Sequence, residues 1–262
     1  MSFRKHEFLK IENLLMSFRG LKALNRVSFF LDRGLICGLI GPNGAGKTTL
    51  LNCLTRVYYP QAGRVFFNGH DVLARPIHRI AELGICRTFQ NLELFKEATV
   101  HENLLIGCLL RFRANLFWEL FNLPIARSNF AKARKEVDSI INQMGLNPYA
   151  HQKVSALPFG IQKTIELARA LAGQPQLLLL DEPAAGMNPE ESLQLAETLR
   201  QLRNKQDITI LLVEHDMRLI MNICDQIIVL DHGEKICEGP PSKVRIDPQV
   251  IKAYLGEEGN IA

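Results

Sequence analysis

The stretch Gly41-Pro42-Asn43-Gly44-Ala45-Gly46-Lys47-Thr48-Thr49 constrains this chain more than any other. It fits G-x-x-x-x-G-K-[ST], a phosphate-binding loop. Leu35 to Ile40 before it reads as a short buried strand, and Thr48 to Val57 after it as an amphipathic helix. Strand, glycine turn and helix are the context the motif needs. Successive backbone N–H groups and a helix N-terminus together make a concave anion site. Gly44 and Gly46 let the backbone approach a phosphate, Lys47 reaches the β- and γ-phosphates, and Thr48 offers a hydroxyl to Mg²⁺. At average residue frequencies a chance match arises in roughly one chain in a hundred of this length.

The 262 residues can bury a large core, and 47% hydrophobic with 22% charged residues is ordinary for a globular protein. A net charge of +4 does not by itself argue for nucleic acid. Cysteines stand at 37, 53, 86, 108, 224 and 237 with no C-x-x-C pair, so they read as reduced core residues. Met1 to Glu7 shows no signal-peptide pattern and no apolar run reaches 18 residues, which predicts a cytoplasmic chain.

Residues 8 to 31 predict two or three strands with a turn at Arg19-Gly20. Phe18, upstream of the phosphate loop, can pack in the core or stack on an adenine face. Arg64 to Phe67 reads as a strand, Asn68-Gly69 as a hairpin turn, Pro76 to Leu83 as a short helix, and Gly84 to Gln90 as a strand ending in a polar residue. Val100 to Arg111 and Phe130 to Met144 predict helices. Phe112 to Asn129 between them is basic and aromatic. Leu116 to Phe121 is either core of a helical insertion or a patch facing a partner or a membrane surface. Leu157 to Gly160 reads as a turn before a helix over Ile161 to Leu171. Gln176 to Leu180 and Ile208 to Val213 are continuous apolar runs, the mark of buried parallel strands. Asn188 and Pro189 open a helix, Met217 to Ile223 forms another, and Asp231 to Glu234 turns a hairpin after Gln226 to Leu230. Pro240-Pro241 begins a final region with a helix over Pro248 to Leu255 and a frayed tail from Gly256.

Polar groups recur at the ends of these strands: Gln90, Asp181-Glu182 and His215. In an open α/β sheet, ligands bind at the carboxyl ends of strands, so all can converge on the phosphate loop. Asp181 can hold the Mg²⁺ shell and Glu182 can act as general base toward water. His215 can order that water or meet the γ-phosphate, and Gln90 can touch both metal and water. Singly, each is as easily a polar strand terminus.

With those residues in place, the chain resembles the ATP-binding subunits of ABC transporters over nearly its whole length. Gly41 to Thr49 matches their Walker A and Leu177 to Glu182 their Walker B. Gln90 matches the Q-loop, His215 the switch histidine and Phe18 the aromatic that stacks on adenine. Leu157-Pro158-Phe159-Gly160-Ile161-Gln162 occupies the signature position. The resemblance implies a P-loop NTPase core of ABC type with an N-terminal antiparallel β subdomain and an inserted α-helical subdomain. It divides one domain into a core with the β subdomain (1–90 and 174–240), a helical subdomain carrying the signature (91–173), and a C-terminal helix and tail (241–262). It implies ATP and Mg²⁺, with Mg²⁺ held by Thr48, Gln90 and Asp181. It also implies a sandwich dimer in which each nucleotide meets one subunit's P-loop and the other's signature. The expected partners are transmembrane permease subunits, contacted between Gln90 and Glu102, and indirectly a solute-binding protein. The expected place is peripheral, on the cytoplasmic face of the inner or plasma membrane, with no role for nucleic acid.

The chain departs from the family at the signature and at the D-loop. Pro158 replaces the usual signature serine and has neither hydroxyl nor N–H. The partner's nucleotide is then held by the backbone N–H groups of Phe159 and Gly160, which predicts a weaker or asymmetric dimer. Ile161 replaces the usual glutamine, and Asn188 the usual D-loop aspartate. Within the family, Ala184 to Pro189, Glu214 to Met217, the insertion at 111–134 and Ala253 to Glu257 look like the branched-chain amino-acid uptake group. Transport of another solute such as urea, peptide or lipid, a soluble ABC ATPase, and a weakly hydrolysing binding module are the alternatives.

Overall fold

A computed structural model describes residues 8–90, 92–109 and 124–258. Strands β1 (Leu9–Phe18), β2 (Leu21–Leu31), β4 (Ala62–Phe67) and β5 (His70–Asp71) form an antiparallel sheet in the order β2-β1-β4-β5. The β1–β2 hairpin turns at Arg19-Gly20, as predicted, with Phe18 opposite Leu21. The second sheet has the order β10-β9-β3-β8-β7-β6. Its members are β3 (Ile36–Ile40), β6 (Ile85–Arg87), β7 (Leu177–Asp181), β8 (Thr209–Val213), β9 (Gln226–Asp231) and β10 (Glu234–Gly239). All neighbours are parallel except the β9–β10 hairpin.

Strands β3, β7 and β8 are buried at every residue, which is why they read as unbroken apolar runs. Alternation still sorts their side chains. Leu177, Leu179, Leu211 and Val213 face the antiparallel sheet and helix α1 (Lys47–Leu54). Leu178, Leu180, Ile210 and Leu212 face helices α5 (Pro189–Gln206) and α6 (Met217–Ile223). Burying one such side chain contributes roughly 1.5–3 kcal/mol, so a one-residue slip that exchanges the two faces is strongly disfavoured. A third core joins α2 (Val100–Leu109), α3 (Pro124–Gln143) and α4 (Phe159–Ala172). Helix α4 belongs to two cores, with Leu167 and Leu171 on the sheet side and Ile165, Ala168 and Ala172 on the helical side. The chain closes with α7 (Pro241–Val244) and α8 (Pro248–Glu258).

Several element boundaries differ from the sequence reading. α1 stops at Leu54, and two residues on Arg56 takes a left-handed φ of 62°. Pro76 to Leu83 makes two short 3-10 turns instead of one helix. β6 ends at Arg87, so Gln90 lies in the following loop. α3 begins at Pro124, six residues ahead of the expected Phe130, with proline at a helix start where its missing N–H is harmless. α4 takes Phe159 and Gly160 into its first turn, with Pro158 as N-cap. α8 runs to Glu258, past the expected fraying point. The Leu116 to Phe121 stretch lies outside the described residues.

Candidate nucleotide site

Parallel pairing puts the ends of β3, β6, β7 and β8 on one edge of the sheet, and the phosphate loop follows β3 there. Two glycines are dictated by close approach. A Cβ on Gly41 (φ 149°) would lie 2.0 Å from the Leu230 carbonyl oxygen, and one on Gly46 (φ 102°) 2.4 Å from that of Ala23. The loop is therefore wedged between β9 and β2. The Gly233 N–H donates to Ala45 O at 3.1 Å, tying the loop to the β9–β10 turn. Lys47 is buried and its Nζ donates to the carbonyls of Gly41 at 2.6 Å and Pro42 at 2.8 Å. Asn43, Gly44 and Thr48 are exposed, Thr49 is half-buried, and Pro42 and Ala45 are buried.

Three predicted residues meet across this edge. Gln90 Nε2 donates to Glu182 Oε2 at 3.2 Å, and His215 Nε2 lies 2.8 Å from Glu182 Oε1. Glu182 sits at φ 52°, a left-handed conformation unusual for a side chain, one residue past β7. Asp181 is 1% exposed and its Oδ2 accepts from Arg87 Nη2 at 2.9 Å. Asp181 Oδ1 is buried and has no hydrogen-bond partner among the described residues. An orphaned carboxylate oxygen, on the sheet edge that also carries the exposed Thr48 and Gln90, belongs to a hard-oxygen donor set that fits Mg²⁺.

The sequence assigned no site role to five charged residues. Glu214 is 5% exposed, and its two carboxylate oxygens accept from Ala184 N at 2.7 Å and His215 N at 3.1 Å. Burial pushes its pKa above the ordinary carboxylate value, and nearby Glu182 adds to that. Arg87 also donates to Asn52 Oδ1 at 2.6 Å. On α4, Lys163 and Glu166 face the loop after β6. Lys163 Nζ donates to Gln90 O at 3.2 Å, and Glu166 Oε1 accepts from Phe89 N at 3.1 Å. Burial raises the Glu166 pKa in turn. Arg169 Nη1 extends the row by donating to Glu93 O at 2.5 Å. None of these carries a spacing signal, because apart from His215, which offers Glu214 only its backbone N–H, each partner is distant in sequence.

The signature turn packs on the start of α5. The Phe159 ring is half exposed and rests over Gly186, whose added Cβ would lie 3.0 Å from it. A Cβ on Gly160 would lie 2.8 Å from Glu191 Oε1. Asn188 is the N-cap expected for α5, and it forms a full capping box with Glu191. Phe18 is 40% exposed, with its ring edge-on to Tyr58 at 5.2 Å.

Comparison with known proteins decides the family. The ABC transporter profile matches residues 24–185, which holds both the phosphate loop and Asp181-Glu182. The chain belongs to the ABC transporter family. It is an ATP-binding cassette, and cassettes of this family are ATPases coupled to transport. A second profile, described as branched-chain amino acid ATP-binding cassette transporter, matches residues 234–260. The cassette is 41% identical to the high-affinity branched-chain amino acid transport ATP-binding protein BraF of Pseudomonas aeruginosa, over 95% of this chain and 98% of that one. It is 43% identical to the corresponding protein LivG of Escherichia coli, with the same coverage. Among solved structures, the ADP conformation of MJ1267, an ATP-binding cassette of an ABC transporter, superposes with a TM-score of 0.82 at 32% identity. That match covers 95% of this chain and 99% of the other. Among the described residues of this cassette, no helix is long and apolar enough to cross a membrane.

Proposed function

We propose that this cassette is the ATP-hydrolysing, energy-coupling subunit of an importer for branched-chain or other hydrophobic amino acids. The observation that carries hydrolysis is the Gln90–Glu182–His215 contact set at the edge bearing the phosphate loop. The branched-chain amino acid transport role of BraF and LivG and the match over residues 234–260 support the solute class.

In this reading the N–H groups from Gly41 to Thr49 cradle the phosphates, and the Lys47 ammonium exchanges its loop carbonyls for phosphate oxygens. Phe18 stacks on the adenine. Thr48, Gln90 and Asp181 hold Mg²⁺, which neutralises charge on the phosphate oxygens when bound. Glu182 accepts the proton of the attacking water as general base. His215 and Gln90 orient its carboxylate and the water. The first turn of α4, with the N–H groups of Phe159 and Gly160, faces the nucleotide of a second cassette. The permease meets the loop between Gln90 and Glu102, on the cytoplasmic face of the membrane. Closure does work only through the permease's differential affinity for open and closed cassettes.

Uptake of labelled leucine, isoleucine and valine in a strain lacking this chain tests the proposal. Loss of uptake, restored by the wild-type chain but not by Glu182→Gln, is the expected result. Undiminished uptake in the deletion strain, together with normal phosphate release by the purified chain, would leave the ATPase reading standing and remove the solute assignment.

A further inference from the structure

Arg87 is a buried charge to which the phosphate chemistry gives no task. It closes β6, and its side chain is 5% exposed. One arm, Nη2, donates to Asp181 Oδ2 at 2.9 Å. The other, Nη1, donates to Asn52 Oδ1 at 2.6 Å and lies 3.4 Å from Thr55 Oγ1. The Phe89 ring covers the guanidinium at 4.9 Å. Asn52 stands four residues after Thr48 on α1, so the two share a face one turn apart. Arg87 therefore spans the two elements that carry Thr48 and Asp181. It occupies one carboxylate oxygen of Asp181 and leaves the other, Oδ1, without a hydrogen-bond partner among the described residues.

We propose that Arg87 is a positioning residue that sets the spacing between α1 and β7 and holds Asp181 so that Oδ1 is presented to the divalent ion. The proposal rests on the reading of Thr48 and Asp181 as Mg²⁺ ligands. Three physical points support it. A guanidinium is a planar fork whose two separate arms fix the orientation of two acceptors, whereas a lysine ammonium bonds from a single nitrogen. Buried ion pairs seldom stabilise more than an apolar substitute of the same shape, so geometry explains this pair better than stability does. Mg²⁺ tolerates little distortion of its octahedral shell, so small shifts of α1 against β7 weaken its binding. Groups that orient a metal ligand from behind typically govern metal affinity by about 10- to 100-fold.

The test is binding of a fluorescent, non-hydrolysable ATP analogue to the full chain, titrated with Mg²⁺ and repeated in EDTA. Arg87→Lys keeps the charge and loses the fork. Asn52→Leu keeps the Arg87–Asp181 pair and removes the 2.6 Å anchor on α1, leaving only the longer contact with Thr55. Both variants are expected to raise the Mg²⁺ midpoint, Arg87→Lys by about tenfold or more. Affinity in EDTA is expected to stay within about twofold of wild type, because the phosphate loop is untouched. An unchanged midpoint in both variants overturns the proposal, as does a fall in EDTA affinity equal to the fall in Mg²⁺. A shift with Arg87→Lys but none with Asn52→Leu also overturns it, since Arg87 would then act on Asp181 without setting the spacing to α1. If wild-type binding shows no dependence on Mg²⁺, the ligand reading fails and takes this proposal with it.

Discussion

Truncating Glu214 should detach the histidine end of the site. Its carboxylate is the acceptor for two backbone donors, Ala184 N–H at 2.7 Å and His215 N–H at 3.1 Å. Orphaning one buried N–H costs about 1–3 kcal/mol, so Glu214→Ala should lose about 2–6 kcal/mol of stability. Glu214→Gln keeps the shape and one acceptor oxygen, and should lose about half of that. The loss must also depend on pH. Burial raises the Glu214 pKa, so the folded chain holds this proton more tightly than the unfolded chain. A group raised in the folded state stabilises fully below its unfolded pKa. Wild-type stability therefore falls as pH rises from the ordinary carboxylate range through the raised value. Glu214→Gln lacks that step. The wild-type-minus-variant difference, read from denaturant midpoints at a series of pH values, should be largest in acid and narrow to a plateau above the window. Phosphate release should fall by about tenfold or more, because His215 loses its tether beside Glu182. A difference that is flat with pH, or that grows as pH rises, would refute the reasoning about this carboxylate.

Glu182→Gln should lower phosphate release by about 10²–10⁴-fold and accumulate ATP-loaded dimers on size exclusion, and brisk turnover by that variant would count against Glu182 as base. Pro158→Ser restores a hydroxyl at the signature turn and should tighten ATP-driven dimerisation by about 1.5–3 kcal/mol, so an unchanged dimerisation constant would sink the predicted weakness of this dimer. Glu166→Ala removes the acceptor for Phe89 N–H and should cost about 1–3 kcal/mol. It should also speed amide exchange across residues 89–95, and unaltered exchange there would show that α4 does not hold this loop.

The parts of the site that were legible in the sequence are those with a local signature. The phosphate loop has fixed spacing. Leu177 to Leu180 and Thr209 to Val213 are buried on both faces, so their apolar runs exposed the polar residues that follow them, Asp181-Glu182 and Glu214-His215. Parallel topology then made the convergence of Gln90, Glu182 and His215 foreseeable. What stayed hidden is held by distant pairing. Arg87 and Asp181 are 94 residues apart, and Glu166 and Phe89 are 77 apart. In the sequence Glu166 is one polar position on an amphipathic helix, and nothing local separates it from a solvated one. Glu214 stood in view beside His215, but its partners are backbone N–H groups, which leave no trace in residue identity. Element ends were misplaced where a proline acts as a start signal, as at Pro124 and Pro158.

Helix α4 joins two tasks that the sequence presents separately. Its first turn, Phe159 and Gly160, is the end that the proposed function offers to a second cassette, and it is braced against Gly186 and Glu191. Its flank, through Lys163, Glu166 and Arg169, holds the backbone of Phe89, Gln90 and Glu93. Gln90 in turn touches Glu182. Lys163 belongs to both ends, since its ammonium lies 5.8 Å from the Phe159 ring as well as 3.2 Å from the Gln90 carbonyl. A rotation of α4 that moves the signature turn must therefore move the loop carrying Gln90, unless three hydrogen bonds break. At about 0.5–1.5 kcal/mol for a neutral bond and 1.5–3 for a charged one, breaking them costs several kcal/mol, more than the smaller motions of a hinge require. The loop and the helix should thus shift as one body, so that, on the proposed function, what seats a nucleotide on one subunit's signature also sets the glutamine beside the other nucleotide's glutamate.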